Sequence, residues 1–468
     1  MSICCRRARI DDRPALEIFV RSAYPDLVPF KGPDRWRWQF LENPFLPNIE
    51  GFVPVWVALD GDNIVGQIAI QATDVHVAGR VHSAGWVVDV IILPAYRGRG
   101  IGHLLHEAVV SDVPILLTLT MAPATRRMAE RAGAITLGPT WQFSRWVRFQ
   151  ADDVQRFLVR RTRHHRHLTK IVQLACGSFA LHHMLALLIN PWLSLRDRNY
   201  KPRPRSTSIA EVERFNPTID GLWQRVAAGY PAICPRNSRF LNWRFVDCPQ
   251  LVYHLFQAYR DGALVGYSVL RCKTSQELRQ GVIVDLFANR RDPAVFRDLI
   301  CHAVEYFGDE VASVECATSL LEIESILSEC GFFKTRTLAP TIVVSDESLR
   351  SEIRGLRNEW SFSKGDHDWD QIDPAADRQY IPAPVSQRLS RPSNTINHSD
   401  HTGFSRRRAQ VFRCWIFRRG NARKCREGSK AQSPSANHNQ TMGRSFVTPP
   451  HSNPVVVAVA DDRAANQL

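Results

Sequence analysis

The sequence predicts a mixed α/β protein: two related domains in tandem, followed by a disordered basic tail. Three observations carry this. Hydrophobic residues make up 44% and charged residues 23% of the 468. That globular balance argues against a wholly disordered chain, a collagen or a multi-span membrane protein. Four segments recur in the same order at offsets of 205, 200, 196 and 198 residues. Within each copy, strand-like segments come first and helix-like segments are interleaved later.

The repeat is read segment by segment. Trp38-Gln-Phe40-Leu-Glu42-Asn-Pro44 matches Trp243-Arg-Phe245-Val-Asp247-Cys-Pro249. Val57 to Ile70 matches Gln257 to Leu270, each a strand, an Asp-Gly turn and a second strand. Gly85 to Val90 matches Gly281 to Leu286, and Arg127 to Ala134 matches Ser325 to Phe332. These matches set the expected divisions: a domain over 1–150, a basic and apolar linker over 151–204, a second domain over 205–345, a closing segment over 346–370 and a tail over 371–468. The paired tryptophans are most simply core packing beside a proline stop.

In the first copy a helix is expected after Asp11 or Asp12, with Pro14 in its first turn and Leu16, Phe19 and Val20 at helical spacing. A hairpin follows over about 55–70, then an apolar strand from Trp86 to Leu93. A helix over about 101–111, a strand over 115–120 and a helix over 124–132 ending at Gly133 complete the copy. Between the domains, Ile171 to Ile189 approaches the length of a membrane span and follows the basic run Arg160 to His167. Gln173, Ser178, His182 and His183 interrupt it, so a buried or half-buried connecting helix is expected. An interfacial helix anchored by the basic run is the alternative, giving peripheral membrane contact through 160–195.

The net charge is +14, but residues 371–468 alone carry 15 Lys and Arg against 6 Asp and Glu. The high isoelectric point therefore reports mainly on the tail, not on a nucleic-acid-binding enzyme. That tail is rich in Ser, Pro, Asn, Gln and Arg and lacks periodicity, so disorder is expected. Its cluster Arg406 to Arg426 interleaves Arg with Phe412, Trp415 and Phe417. RNA or an anionic membrane would suit it, and a solvated tail is the favoured reading. The 11 cysteines form no C-x-x-C pair, and the start has no apolar leader. A reducing cytoplasm is expected.

The chemistry-bearing segment is Val87 to Val109. An apolar strand ends at Pro94, and the loop Arg97-Gly98-Arg99-Gly100-Ile101-Gly102 leads straight into a helix. Glycines let main chain approach a ligand closely, and free N–H groups at a helix N-terminus suit phosphate oxygens. Arg97 and Arg99 add charge fit for a pyrophosphate. The spacing departs from a dinucleotide-binding G-x-G-x-x-G and from a P-loop, which needs Gly-Lys-Ser/Thr.

This segment resembles motif A of the GCN5-related N-acetyltransferase (GNAT) superfamily, with Arg97, Gly100 and Gly102 in the strand–loop–helix context. The resemblance covers about the first 150 residues well and 205–345 more weakly. It implies two tandem domains, each a mostly antiparallel splayed sheet flanked by helices. It further implies acetyl-CoA as cosubstrate, with Val90, Ile91 and Ile92 offering backbone groups to the pantetheine. Arg97, Gly98, Arg99, Gly100, Ile101 and Gly102 would hold the pyrophosphate. The implied activity is acetyl transfer to an amine by direct attack, with no metal and no covalent enzyme intermediate. A small amine or amino sugar is the expected acceptor, with a protein amine as the alternative. The chain is expected as a monomer acting as an internal pseudo-dimer, or as a homodimer.

Asp89, on the same strand, is the candidate base or its water relay. The second copy keeps Asp285 at the matching place although its loop, Asn289 to Pro293, has lost the glycines, so a role in the fold is the competing reading. The family's Tyr acid would fall at Ala129. Tyr96 remains as a phenol that either packs or faces water. The second domain therefore reads as a degenerate copy serving as a wall or partner. Mycothiol synthase-like tandem acetyltransferases are similar, though there the later half works. A non-catalytic acyl-CoA-binding scaffold is the alternative function. Asp366-His-Asp368-x-Asp370 is expected as a solvated turn, His164, His165 and His167 as solvated linker residues, and Arg35 and Arg37 as surface-helix or entrance residues.

Overall fold

In the computed structural model the described residues are 3–371, apart from 26–29, 48, 120–122, 163–164, 198–199, 201–203 and 276–277. Of the tail expected over 371–468, residues 372 onward lie outside them, as does His164; Gln371, expected as the first tail residue, is instead buried and bonded to Arg35. The chain opens with strand β1 (Ile3–Arg9) and helix α1 (Arg13–Ala23), which buries Leu16 and Phe19. Pro14 sits in its first turn, where a missing N–H costs nothing. Asp12 does not cap this helix and instead pairs with Arg6 at 2.6 Å. Helix α2 (Pro33–Phe40) leads to a hairpin, β2 (Phe52–Asp60) and β3 (Asn63–Val77), turned at Gly61 with φ 60°. Strand β4 (Arg80–Ile92), helix α3 (Ile101–Asp112), β5 (Ile115–Thr118), α4 (Pro123–Arg131), β6 (Ile135–Thr136) and β7 (Thr140–Trp146) follow.

The linker is three helices: α5 (Ala151–Thr162), α6 (Arg166–Phe179) and α7 (Leu181–Asp197). This corrects the expectation of one buried or half-buried connecting helix over 171–189: two helices cover that stretch. Ala180 takes φ 49°, the helix breaks there, and its two parts lie 86° apart. No single helix among the described residues is long and apolar enough to cross a membrane.

The second copy repeats the plan. It runs β8 (Ser208–Val212), α8 (Thr218–Val226), β9 (Ala232–Ile233), α9 (Ser238–Phe245), β10 (His254–Arg260), β11 (Ala263–Ser275), β12 (Leu278–Ala288), α10 (Pro293–Phe307), β13 (Ser313–Thr318), α11 (Leu321–Glu329) and β14 (Phe333–Leu338). Strand β15 (Thr341–Val344), helix α12 (Glu347–Gly355) and strand β16 (Trp360–Ser361) close it.

The two sheets do not divide where the repeats do. The first has the order β1-β2-β3-β4-β5-β15-β6, and the second β14-β7-β13-β12-β11-β10-β8. Each copy thus lends its last long strand to the other's sheet. Strand β7 lies antiparallel between β13 and β14, and β15 antiparallel between β5 and β6. The lead-in chains touch where they cross, Leu137 N–H donating to Pro340 O at 2.9 Å. All four residues of β15 are buried, and Phe143 of β7 is fully buried in the second core. Both sheets lie in one compact unit.

The matched tryptophans meet between α2 and α9. Their rings stack at 4.7 Å and 12°. Trp38 Nε1 donates to Trp243 O at 2.8 Å, and Trp243 Nε1 donates to Trp38 O at 3.0 Å. This reciprocal contact marks an internal twofold relation between the copies, and the stack adds about 1 kcal/mol beyond the area it buries.

Candidate active site

Strand β4 pairs with β3 along its length but with β5 only at Gly85–Leu116 and Trp86–Leu117. Beyond Trp86 the two parallel strands part, and Val87 to Ile92 are half-buried beside the gap. Antiparallel backbone groups alternate between facing the partner and facing away. Leu93 N–H donates to Val65 O across the β3 pair. Ile92 and Val90 therefore present their amides and carbonyls to the gap, whereas Ile91 in the intervening position faces β3.

The loop after β4 is open. Gly98 and Gly100 have φ of 79° and 78°, the left-handed region that side chains resist, and Gly100 caps α3. The amides of Gly98, Arg99, Gly100, Ile101 and Gly102 donate to no described protein group, and nothing lies within 4 Å of where a Cβ would stand on Gly98 or Gly100. Five free donors at a helix N-terminus, on main chain with room on its outer side, fit a diphosphate. Both arginines are exposed at the rim. Arg97 Nε donates to Ile92 O at 3.1 Å, and the Arg99 guanidinium lies 5.0 Å from the Tyr96 ring centre. Tyr96 is committed elsewhere, its hydroxyl donating to Asp60 at 2.9 Å. Ala129, where an acid phenol would fall, is a buried alanine under α3.

Asp89 sits on the other face of β4 and is joined by groups that sequence reading missed. Lys31 Nζ lies 2.6 Å from its Oδ1 and 4.7 Å from the centre of the Tyr24 ring. Burial, Asp89 and Asp368 push the Tyr24 phenol well above its ordinary value. The closing segment supplies the rest. His367 Nε2 lies 3.1 Å from Val87 O, and its Nδ1 lies 2.5 Å from Asp368. Burial alone would raise Asp368, but His367, Lys31 and Arg35 hold it at about 2. Burial alone would lower His367, and Asp368 more than offsets this, so the imidazole is raised. The cluster thus alternates Asp89, Lys31, Asp368 and His367, with Arg35 behind.

This overturns the reading of 366–370 as a solvated turn. Asp366, His367 and Asp370 are buried. Asp370 takes Arg244 at 2.6 Å and the Tyr253 hydroxyl at 2.6 Å. Arg35 is buried as well, bonded to Gln371, whereas Arg37 stays exposed near Glu42. No local signal announces Lys31 or Tyr24; their role appears only when α1 and α2 fold over β4.

The second copy has the same splay and fills it. Strand β12 pairs with β13 only from Gln280 to Ile283. Past that point Gly365 N–H donates to Val284 O at 3.0 Å, and Ser361, Phe362 and Ser363 occupy the gap. The cavity left is about 20 Å³, room for a single water. Asp285 is fully buried between Arg236 at 2.9 Å and the Tyr267 hydroxyl at 2.7 Å. The loop after β12 has no glycine. Arg290 is paired with Glu322, and Asp292 with Arg260.

Residues 52–133 match the family model described as an acetyltransferase (GNAT) domain. Residues 52–133 therefore carry a GNAT domain, and two mixed sheets flanked by helices are observed, as expected. Among solved structures, the chain is similar to a GCN5-related N-acetyltransferase from Anabaena variabilis at 14% identity, covering 73% of this chain and 72% of that one, with TM-score 0.48. It is similar to a tandem GNAT protein from the clavulanic acid biosynthesis pathway at 16% identity, covering 74% and 99%, with TM-score 0.42. It is also similar to Eis1 from Mycobacterium abscessus at 14% identity, covering 75% and 76%, with TM-score 0.44. No curated protein sequence matches the chain.

Proposed function

We propose that the chain is an acyl-CoA-dependent N-acyltransferase whose first half works and whose second half supports it. The observation that carries this is the run of five unused amides at the start of α3, beside the unpaired edge of β4. Acetyl-CoA is the donor in this reading. It supplies the thioester carbon that the neutral amine attacks: the C–N bond forms, the C–S bond breaks, and coenzyme A leaves as a thiolate that takes up the proton the nitrogen sheds. The Gly98 to Gly102 amides hold the diphosphate, with Arg97 and Arg99 at the rim. Val90 and Ile92 offer main-chain groups along the pantetheine, and an N–H on that edge polarises the thioester carbonyl. Asp89 takes the ammonium proton directly or through water. Asp89 and Asp368 together favour a cationic acceptor, and a small amine or amino sugar is preferred to a protein amine. The nine described cysteines are free thiols, in keeping with a reducing cytoplasm.

Two observations favour the alternative, a non-catalytic acyl-CoA binder: Ala129 stands where a phenol is wanted, and Lys31 already occupies Asp89. A thermal melt with and without acetyl-CoA, on wild type and Gly100→Glu, tests the binding step, since a ligand of the native state raises the melting temperature. No shift in wild type rejects both readings. A shift without transfer to any amine in a broad panel leaves the binder.

A further inference from the structure

We propose that helices α6 and α7 form a docking face for anionic lipid surfaces; this does not rest on the transferase reading. From Ile171 to Leu195 the chain has 25 residues without Asp, Glu, Lys or Arg. The apolar ones do not all turn inward. Ile171 and Leu174 on α6 are 61% and 64% exposed, and Leu187, Leu188, Trp192 and Leu195 on α7 are 60–74% exposed. Their spacing places each set on one outward stripe. The inner side is used: Cys176, Ala186 and Leu193 are buried, and both helices contact α5.

The stripe is held outward by the body of the protein. The Asn190 side chain bonds both backbone groups of Phe149, at 2.8 and 2.9 Å. Arg196 donates to Trp146 O at the end of β7, at 2.7 Å. A face so fixed needs no ordering when it meets a partner.

Charge identifies the partner. Between Val154 and Arg196 there are seven Lys and Arg and no Asp or Glu. Of these, Arg161 and Lys170 are exposed, and Lys170 immediately precedes Ile171 of the stripe. Cations of one sign framing an uncharged apolar stripe, with a tryptophan on it, match a layer of anionic headgroups over hydrocarbon. No single helix among the described residues is long and apolar enough to cross a membrane, and the 86° bend at Ala180 suits two helices lying in the interface, where each keeps its own backbone bonds.

The test is co-sedimentation of the full chain with vesicles of phosphatidylcholine alone or with about 30% phosphatidylglycerol. Wild type is expected to sediment with the anionic vesicles, not with the neutral ones, and to be released as added salt shortens the screening length. Leu187→Glu/Leu188→Glu is expected to weaken binding about tenfold or more, with an unchanged melting temperature because both side chains are exposed. Arg161→Glu/Lys170→Glu, which leaves the stripe untouched, must weaken it too. Wild type left in the supernatant overturns the proposal. Equal sedimentation of wild type and both variants also overturns it and assigns lipid binding to another segment, including the tail. A dimer in solution that Leu187→Glu/Leu188→Glu dissociates, without vesicle binding, overturns it in favour of a second copy as the occupant.

Discussion

The gap beside β4 and the gap beside β12 start from the same geometry and end as opposites. In each, parallel strands part after a short run of pairing, with an aspartate just past the fork. In the first copy the strand beyond the fork is half-exposed and the amides from Gly98 to Gly102 have no acceptor among the described residues. In the second, the closing segment has filled the fork and the aspartate is locked into a buried ion pair. Loss of the glycines and closure of the gap go together physically. A fork with no ligand to pair with leaves unpaired backbone, which is costly unless water or protein satisfies it. Residues 361–365 satisfy it in the second copy. The same segment then continues to His367 and Asp368 beside Asp89, so closing one fork helps build the other.

The comparison can be broken most severely at Arg236. Removing it by Arg236→Met strands Asp285 and Asp366 in the core, and about 3–5 kcal/mol of stability should be lost in urea unfolding. The matching change beside Asp89, Lys31→Met, should cost about 1 kcal/mol or less, because that pair is partly hydrated. Equal losses would erase the distinction between a structural and a working aspartate. Next in size is the ligand effect. At acetyl-CoA about 100-fold above its dissociation constant, wild type should gain about 2.7 kcal/mol, and Gly100→Glu should gain none. Asn289→Glu in the second loop should leave the gain intact. A loss there would mean that the second fork binds the ligand.

Acid sharpens the contrast further. Asp368 is held at about 2 against an ordinary 3.8. Its folded value is the lower one, so its stabilisation, about 2 kcal/mol, is present above pH ~4 and is lost as pH falls through about 2. His367 acts in the other direction. Its folded value is raised, so its contribution is full below its ordinary 6.5 and fades as pH rises through the folded value. Urea midpoints across pH for wild type and Asp368→Asn should differ in the acid limb; identical limbs would remove Asp368 from the cluster. The smallest effects compare glycines. A Cβ on Gly281 would lie 2.5 Å from the Phe307 ring, and Gly281→Ala should cost about 1–3 kcal/mol. A Cβ on Gly102 meets Ile92 at an ordinary 3.5 Å, so Gly102→Ala should leave the melting temperature nearly unchanged.

Much of this was legible because it is local or repeated. The offset of 205 residues between Trp38 and Trp243 foretells a symmetric contact, and the indoles do stack. The glycine loop foretells the open turn at the start of α3 because positive φ and free amides are properties of a few adjacent residues. Partner choice is not local. Strands β7 and β15 carry ordinary strand sequences, and nothing in their periodicity says which sheet each will enter. Asp366, Asp368 and Asp370 alternate like a solvated turn. Their partners are Arg236, Lys31 and Arg244, each more than a hundred residues away in sequence. The break at Ala180 has no glycine to announce it; a residue with a Cβ takes the left-handed turn there.

The exchange of β7 and β15 makes the two copies inseparable in time as well as in space. A ribosome must reach Val344 before the first sheet can receive the strand that lies between β5 and β6. Cutting the gene between the repeats would yield two products, each missing an interior rung and exposing raw strand edges that invite pairing with a neighbour. A split protein should regain its shape only when both pieces are made together. Evolution could then let the second copy lose its own ligand loop, but not its sheet.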